Sequence, residues 1–193
     1  YMQSVADAAA AACAEAAAGL ESFRVRAARG EMPPVGSERH TGEKVDACLT
    51  AAEFLLESGK KLIFYNFPCH PTVLPAANLL VSADFVGQIE KHLDADLTVF
   101  ANGAAGDIST RFTRRESSFR ECARMGKLAA DYIRSLLEQA TTVEPAPLTG
   151  ATAMVTLPAR QVETEEAARR QLEETTARWQ QAVKDGADAG TVR

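Results

Sequence analysis

Two short segments concentrate the side chains able to do chemistry. The first, Asn66-Phe67-Pro68-Cys69-His70-Pro71-Thr72, sets an imidazole between two prolines. Proline fixes its own φ and biases the residue before it toward extended backbone, so His70 stands on a stiff loop. An imidazole held this way can ligate a metal or relay a proton. It can equally buttress a turn. Cys69 beside it is either a second soft ligand or, since side chains alternate along an extended chain, a core filler on the opposite side.

The second segment is Ala101-Asn102-Gly103-Ala104-Ala105-Gly106-Asp107-Ile108-Ser109-Thr110. Its small residues let the backbone pass close to a ligand, which makes Asn102 and Gly103 candidate substrate-binding residues. Ser109 is a candidate nucleophile or a hydrogen-bond donor to a reacting carbonyl. The pattern is not the G-x-S-x-G elbow, because Asp107 and Arg111 stand two residues to either side of the serine. Gly103 and Gly106 lack dinucleotide-binding spacing, and no Walker lysine follows them. A plain polar loop is the alternative. Among the remaining candidates, His92 falls near a helix C-terminus and His40 lies beside Arg39 in a polar stretch. Arg111, Arg114 and Arg115 either hold an anionic group or end a solvated loop.

Each segment directly follows a short apolar run, 62–67 and 97–101, with the composition of a buried strand. Ligands in open α/β sheets lie outside such strand ends. Around these runs, 2–20 is an Ala-rich helix stopped by Gly19 and packed on the sheet, and 23–27 alternates as a half-buried strand. Residues 31–44 form a loop broken by Pro33, Pro34, Gly36 and Gly42. Val45, Cys48, Leu49, Ala52, Leu55 and Leu56 recur at helical steps, with Gly59 as the stop. A short helix starts at 82–84 and runs to about Leu93. Ser117 or Ser118 caps a long helix to about Gln139, with an apolar stripe of Ala123, Leu128, Tyr132, Ile133, Leu136 and Leu137. A linker over 141–147, a strand over 152–157 and a charged helix capped by Thr164 complete the order. Strands alternating with helices predict one α/β domain over 1–184, a mixed β-sheet flanked by helices, with 185–193 a frayed tail.

Composition narrows the partners. The 193 residues are 46% hydrophobic, enough for a real core. Twenty-one Lys and Arg against 26 Asp and Glu give a net charge of −5, which argues against binding nucleic acid, since phosphates need clustered positive charge. No apolar run reaches the roughly 18 residues that span a bilayer. Four cysteines in a chain of this length do not make a disulfide scaffold. The chain opens at Tyr1 without a Met, so it reads as a piece of something longer.

Phe67-Pro68-Cys69-His70-Pro71-Thr72 and Asn102-Gly103-Ala104-Ala105-Gly106-Asp107-Ile108-Ser109, taken together and in this order with Leu80-Val81-Ser82-Ala83-Asp84-Phe85-Val86-Gly87 between them, resemble the N-terminal catalytic domain of the neutral/alkaline, non-lysosomal ceramidase family. The likeness runs from about Phe23 to Trp179. It implies a zinc-dependent amidohydrolase acting on a ceramide-like, sphingolipid-type N-acyl amide. It further implies that His70 is a zinc ligand, that Ser109 is the active-site serine, and that Arg39 contacts the substrate region. Thr110 stands where the family has proline. The family's upstream H-x-H stretch and its downstream Glu and Tyr ligands have no counterpart in these residues. The resemblance therefore implies Zn2+ in an intact parent and an incomplete ligand set in this segment. A non-catalytic binding or structural module that kept the fold and lost the site is the competing expectation. A metal-free serine hydrolase, with Ser109 served by His70 or His92, is a third.

Overall fold

The computed structural model describes residues 1–187 except 46, 145, 148 and 160–162. The chain divides into two compact units, Tyr1–Ala146 and Pro147–Arg193. In the first, the described elements are α1 (Met2–Ala18), β1 (Phe23–Glu31), β2 (Ser37–Glu38), β3 (Cys48–Leu56), β4 (Lys61–Phe67), α2 (Val86–Glu90), β5 (Leu97–Asn102), β6 (Ile108–Ser109), α3 (Phe119–Glu138) and β7 (Thr141–Thr142). In the second, α4 (Glu165–Lys184) is a solvated helix whose cap is Thr164, the hydroxyl accepting the Ala167 N–H. The expected strand over 152–157 is not formed; those residues are exposed and carry no ladder. Of the expected frayed tail, 188–193 lies outside the described residues.

Five strands form a mixed sheet in the order β5-β4-β3-β1-β7. β4 and β5 run parallel, whereas β1–β3, β3–β4 and β1–β7 are antiparallel. This is the expected α/β architecture, with a second corrected element beside the missing strand over 152–157. Residues 48–56 are a strand rather than a helix, paired along β1 from Glu31↔Cys48 to Phe23↔Leu56. Leu49 and Ala51 are buried on one face while their neighbours are only half-buried, a period of two that the helical spacing of 45–56 conceals. Cross-strand partners on both sides decide the outcome. Gly59 is accordingly a hairpin residue at φ +85°, between Leu56 and Lys60, whose backbones pair at 2.9 Å.

The core lies between the sheet and α3, which packs on β1 and β3 and against α2. Its buried stripe is Cys122, Met125, Ala129, Ile133 and Leu137, with Gly126 and Ala130 beside it. This is rotated from the expected stripe, of which only Ile133 and Leu137 are buried. Small residues set the rotation, because they let the helix approach its neighbours closely. Tyr65, Phe67, Phe85 and Phe100 stack beneath the ends of β4 and β5, with Phe67 and Phe100 centroids 5.1 Å apart. No residue of α1 is buried, so its expected packing on the sheet is also corrected. Alanine propensity alone supports a helix without an apolar face to bury.

Candidate functional site

Parallel pairing of β4 and β5 makes the site possible. The two strands end together, Phe67 opposite Asn102, so both chemistry-bearing loops leave the same edge of the sheet. The loops are then tied to each other. Asn102 Oδ1 accepts the Cys69 N–H at 3.1 Å, and the Gly103 N–H donates to Phe67 O at 3.2 Å. A Cβ on Gly103 would stand 3.0 Å from Pro68 N, so the tight crossing favours glycine. Asn102 and Gly103 thus hold the His70 loop in place.

Beyond the sheet, β6 completes a small ladder. Ile108 and Ser109 pair antiparallel with β2, Ser37 opposite Ser109 and Glu38 opposite Ile108. On its other side Ser109 forms a parallel bridge with His70, whose N–H donates to Ile108 O at 3.1 Å. Directly paired residues share a face, so Ser37, Ser109 and His70 form one polar row. Arg39 follows β2 at the same place, its N–H donating to Asp107 O at 2.7 Å. Three of the candidates, His70, Ser109 and Arg39, therefore converge from separate stretches of chain. His92 does not join them; it precedes β5, at the sheet edge opposite to Asn102.

Several residues fix this arrangement. Asp84 is 6% exposed and sits at φ +55°, a conformation that aspartate tolerates better than most residues. Its carboxylate accepts the N–H groups of Val73 at 3.1 Å, Leu74 at 2.9 Å and Phe85 at 2.8 Å, pinning the chain that leaves His70. Arg114 spans the two loops: its Nη1 donates to Thr72 O at 2.7 Å and to Thr110 Oγ1 at 3.4 Å. Thr110, fully buried where the family resemblance has proline, thereby stiffens the loop through a side-chain clamp. After β2, the Glu38 carboxylate accepts the N–H groups of Thr41 and His40, which hold it below its usual range. Arg111 stacks on Phe112 at 5.3 Å. Sequence reasoning missed Ser37, Asp84 and the role of Arg114; an Asp opening a short helix after H-P-T was the available signal for the second.

The electrostatics separate Cys69 from the site. It is buried, and desolvation pushes its thiol up to about 12, with the Asp84 charge adding to the shift. A thiol so protonated packs in the core, as alternation along the extended chain leads one to expect. Among the described residues no three His, Cys, Asp or Glu side chains cluster to hold a metal. A zinc on His70 would need its further ligands from outside them. The residues present thus do not by themselves fit a zinc centre. An open cleft of about 610 Å3 lies alongside, lined by Met32, Pro33, Ser37, Lys44, Val45 and Tyr132 among others. It reaches the polar row at Ser37, and neither His70 nor Ser109 lines it.

Comparison with solved structures places the same fold in neutral ceramidase from Pseudomonas aeruginosa, with a TM-score of 0.54 and 20% identity. The match covers 64% of this chain and 24% of that one, so this chain spans about a quarter of the ceramidase. At that identity the likeness concerns the fold. No protein-family model matches the chain, and no curated protein matches it by sequence. No helix among the described residues is long and apolar enough to cross a membrane.

Proposed function

We propose that this chain is part of an amide hydrolase that cleaves an N-acyl amide to a carboxylate and an amine, with Ser109 and His70 at the reacting centre. The observation that carries the reading is the bridge between them: the loops after β4 and β5 meet so that His70 and Ser109 are direct neighbours. The ceramidase fold supports it, and a ceramide-like lipid amide is the substrate class that likeness favours. Ser109 serves either by attacking the carbonyl or by donating a hydrogen bond to the oxygen as negative charge develops there. His70 presents its imidazole to the same centre, the position at which the family resemblance puts a zinc ligand. Arg39, Asn102 and Gly103 border the place the substrate would occupy.

The test is turnover of a fluorogenic N-acyl aminocoumarin by the full-length protein. Ser109→Ala should lower kcat by about a hundredfold or more. An acyl adduct on Ser109, seen by intact mass, would identify it as nucleophile; loss of rate without an adduct would identify it as donor. Retained turnover in Ser109→Ala overturns the proposal. No turnover by the wild type favours the second reading, a binding or structural module, for which the incomplete metal-ligand set is the motivating observation.

A further inference from the structure

Among the described residues, Ser37 is the buried side-chain group that the fold leaves unpaired. It is 5% exposed, and its Oγ is buried with no hydrogen-bond partner among the described residues. Nearly all buried hydroxyls are paired, because an unmade hydrogen bond away from water destabilises the fold. An orphan of this kind needs a reason, and its place supplies one. Ser37 is the register partner of Ser109 on β6, and His70 is the bridge partner on the far side. Antiparallel partners share a face with Cβ atoms about 4.5–5.5 Å apart, so a turn of the Ser37 side chain about χ1 would bring its Oγ toward Ser109 Oγ. Ser109 Oγ accepts the Arg111 N–H at a long 3.3 Å, which leaves a lone pair for a second donor. Ser37 also borders the cleft of about 610 Å3, although its hydroxyl is shielded from solvent.

We infer that Ser37 is a positioning residue for Ser109, its O–H donating to Ser109 Oγ during the reaction. The inference rests on Ser109 being the reacting hydroxyl, and it holds for either role of that serine. If Ser109 attacks, the donated hydrogen bond stabilises its oxygen as the proton leaves. If Ser109 donates to the developing oxyanion, a bond received from Ser37 polarises its O–H and makes it a stronger donor. The resting fold accepts an unpaired hydroxyl so that it is free for this bond, a local sacrifice of stability at a functional site.

The experiment compares the full-length wild type with Ser37→Ala, Ser37→Thr, Ser109→Ala and the Ser37→Ala/Ser109→Ala double variant. Turnover of the N-acyl aminocoumarin and thermal melting are read on each. Ser37→Ala should melt at or above the wild type, since it deletes an unsatisfied group. Its kcat should fall about tenfold or more while KM moves little. Ser37→Thr, which restores the hydroxyl, should recover part of kcat. The double variant should lose no more than Ser109→Ala alone. Full kcat in Ser37→Ala beside an inactive Ser109→Ala overturns this inference and spares the hydrolase reading. A Ser37→Ala melt below wild type also overturns it, because the hydroxyl would then be paired in the fold. Absent turnover in the wild type, or retained turnover in Ser109→Ala, overturns the hydrolase reading and this inference with it.

Discussion

His70 reaches Ser109 because residues around it leave the loop little freedom, Asp84 among them. One buried carboxylate satisfies three backbone N–H groups across two turns of chain. Removing it would strand those donors out of reach of water. Asp84→Ala should therefore lower the unfolding free energy by about 3 kcal/mol in urea titration, well beyond the loss at an exposed aspartate. A loss no larger than at exposed Asp94 would contradict the role. The cysteines give a second residue-level outcome. Cys13 is exposed, whereas Cys69 and Cys122 are buried with thiols pushed up to about 12 and about 11 by desolvation. Iodoacetamide at pH 8 should label Cys13 in the native protein and reach Cys69 and Cys122 only after unfolding, as read by mass spectrometry. His70 and Ser109 are legible in the sequence because prolines and glycines punctuate their surroundings. Ser37 is not, since a serine in a polar stretch carries no signal until its partner strand is known.

Elements show where local pattern suffices and where tertiary pairing overrules it. β4, β5 and the helices at 2–18, 119–138 and 165–184 follow from composition, periodicity and capping residues. Ser118 caps α3 by accepting the Glu121 N–H at 3.1 Å, and Glu121 returns to accept the Arg115 N–H at 2.9 Å. β3 is the contrary case. Its residues satisfy a helical template, and only the partners on both sides select the strand. The two-residue strands β2 and β6 are too short for any periodicity, so the ladder that builds the site is invisible to sequence. The α2–α3 contact is testable at this scale. A Cβ on Gly126 would stand 2.5 Å from Gln88 Cβ and 2.7 Å from Phe85 O. Gly126→Ala should cost about 2 kcal/mol or more despite the gain in helix propensity, by urea unfolding. A stabilised variant would show that the two helices do not pack as described.

For the whole fold, stability should form a plateau in pH with a separate cause for each limb. Glu121 is buried, and its carboxyl is held below its usual range chiefly by the Arg124 guanidinium. A lowered folded value means its contribution is whole above the unfolded value of 4.5 and is lost as pH falls through the folded one. Cys69 and Cys122 behave in the opposite sense. Their contribution is whole below the ordinary value of 9.0 and is lost as pH rises toward 11 and 12, because only the unfolded chain ionises. Urea midpoints should stay level between about pH 5 and 9 and fall on both sides. Replacing Cys69 and Cys122 by Ala should flatten the alkaline limb between pH 9.0 and 10.0, above which the buried Tyr65 phenol, itself raised by desolvation, sustains the fall. An unchanged limb from 9.0 to 10.0 would contradict the cysteine assignment.

The central claim is that two loops, brought to one sheet edge by the parallel β4–β5 pair, make a single reacting centre at His70 and Ser109. A double-mutant cycle on kcat/KM of the full-length protein with the N-acyl aminocoumarin tests it directly. His70→Ala and Ser109→Ala should each abolish most of the rate, and the double variant should lose no more than the worse single one, as for residues that act as a unit. Losses that multiply would mean that the two side chains act independently, and would contradict the shared centre.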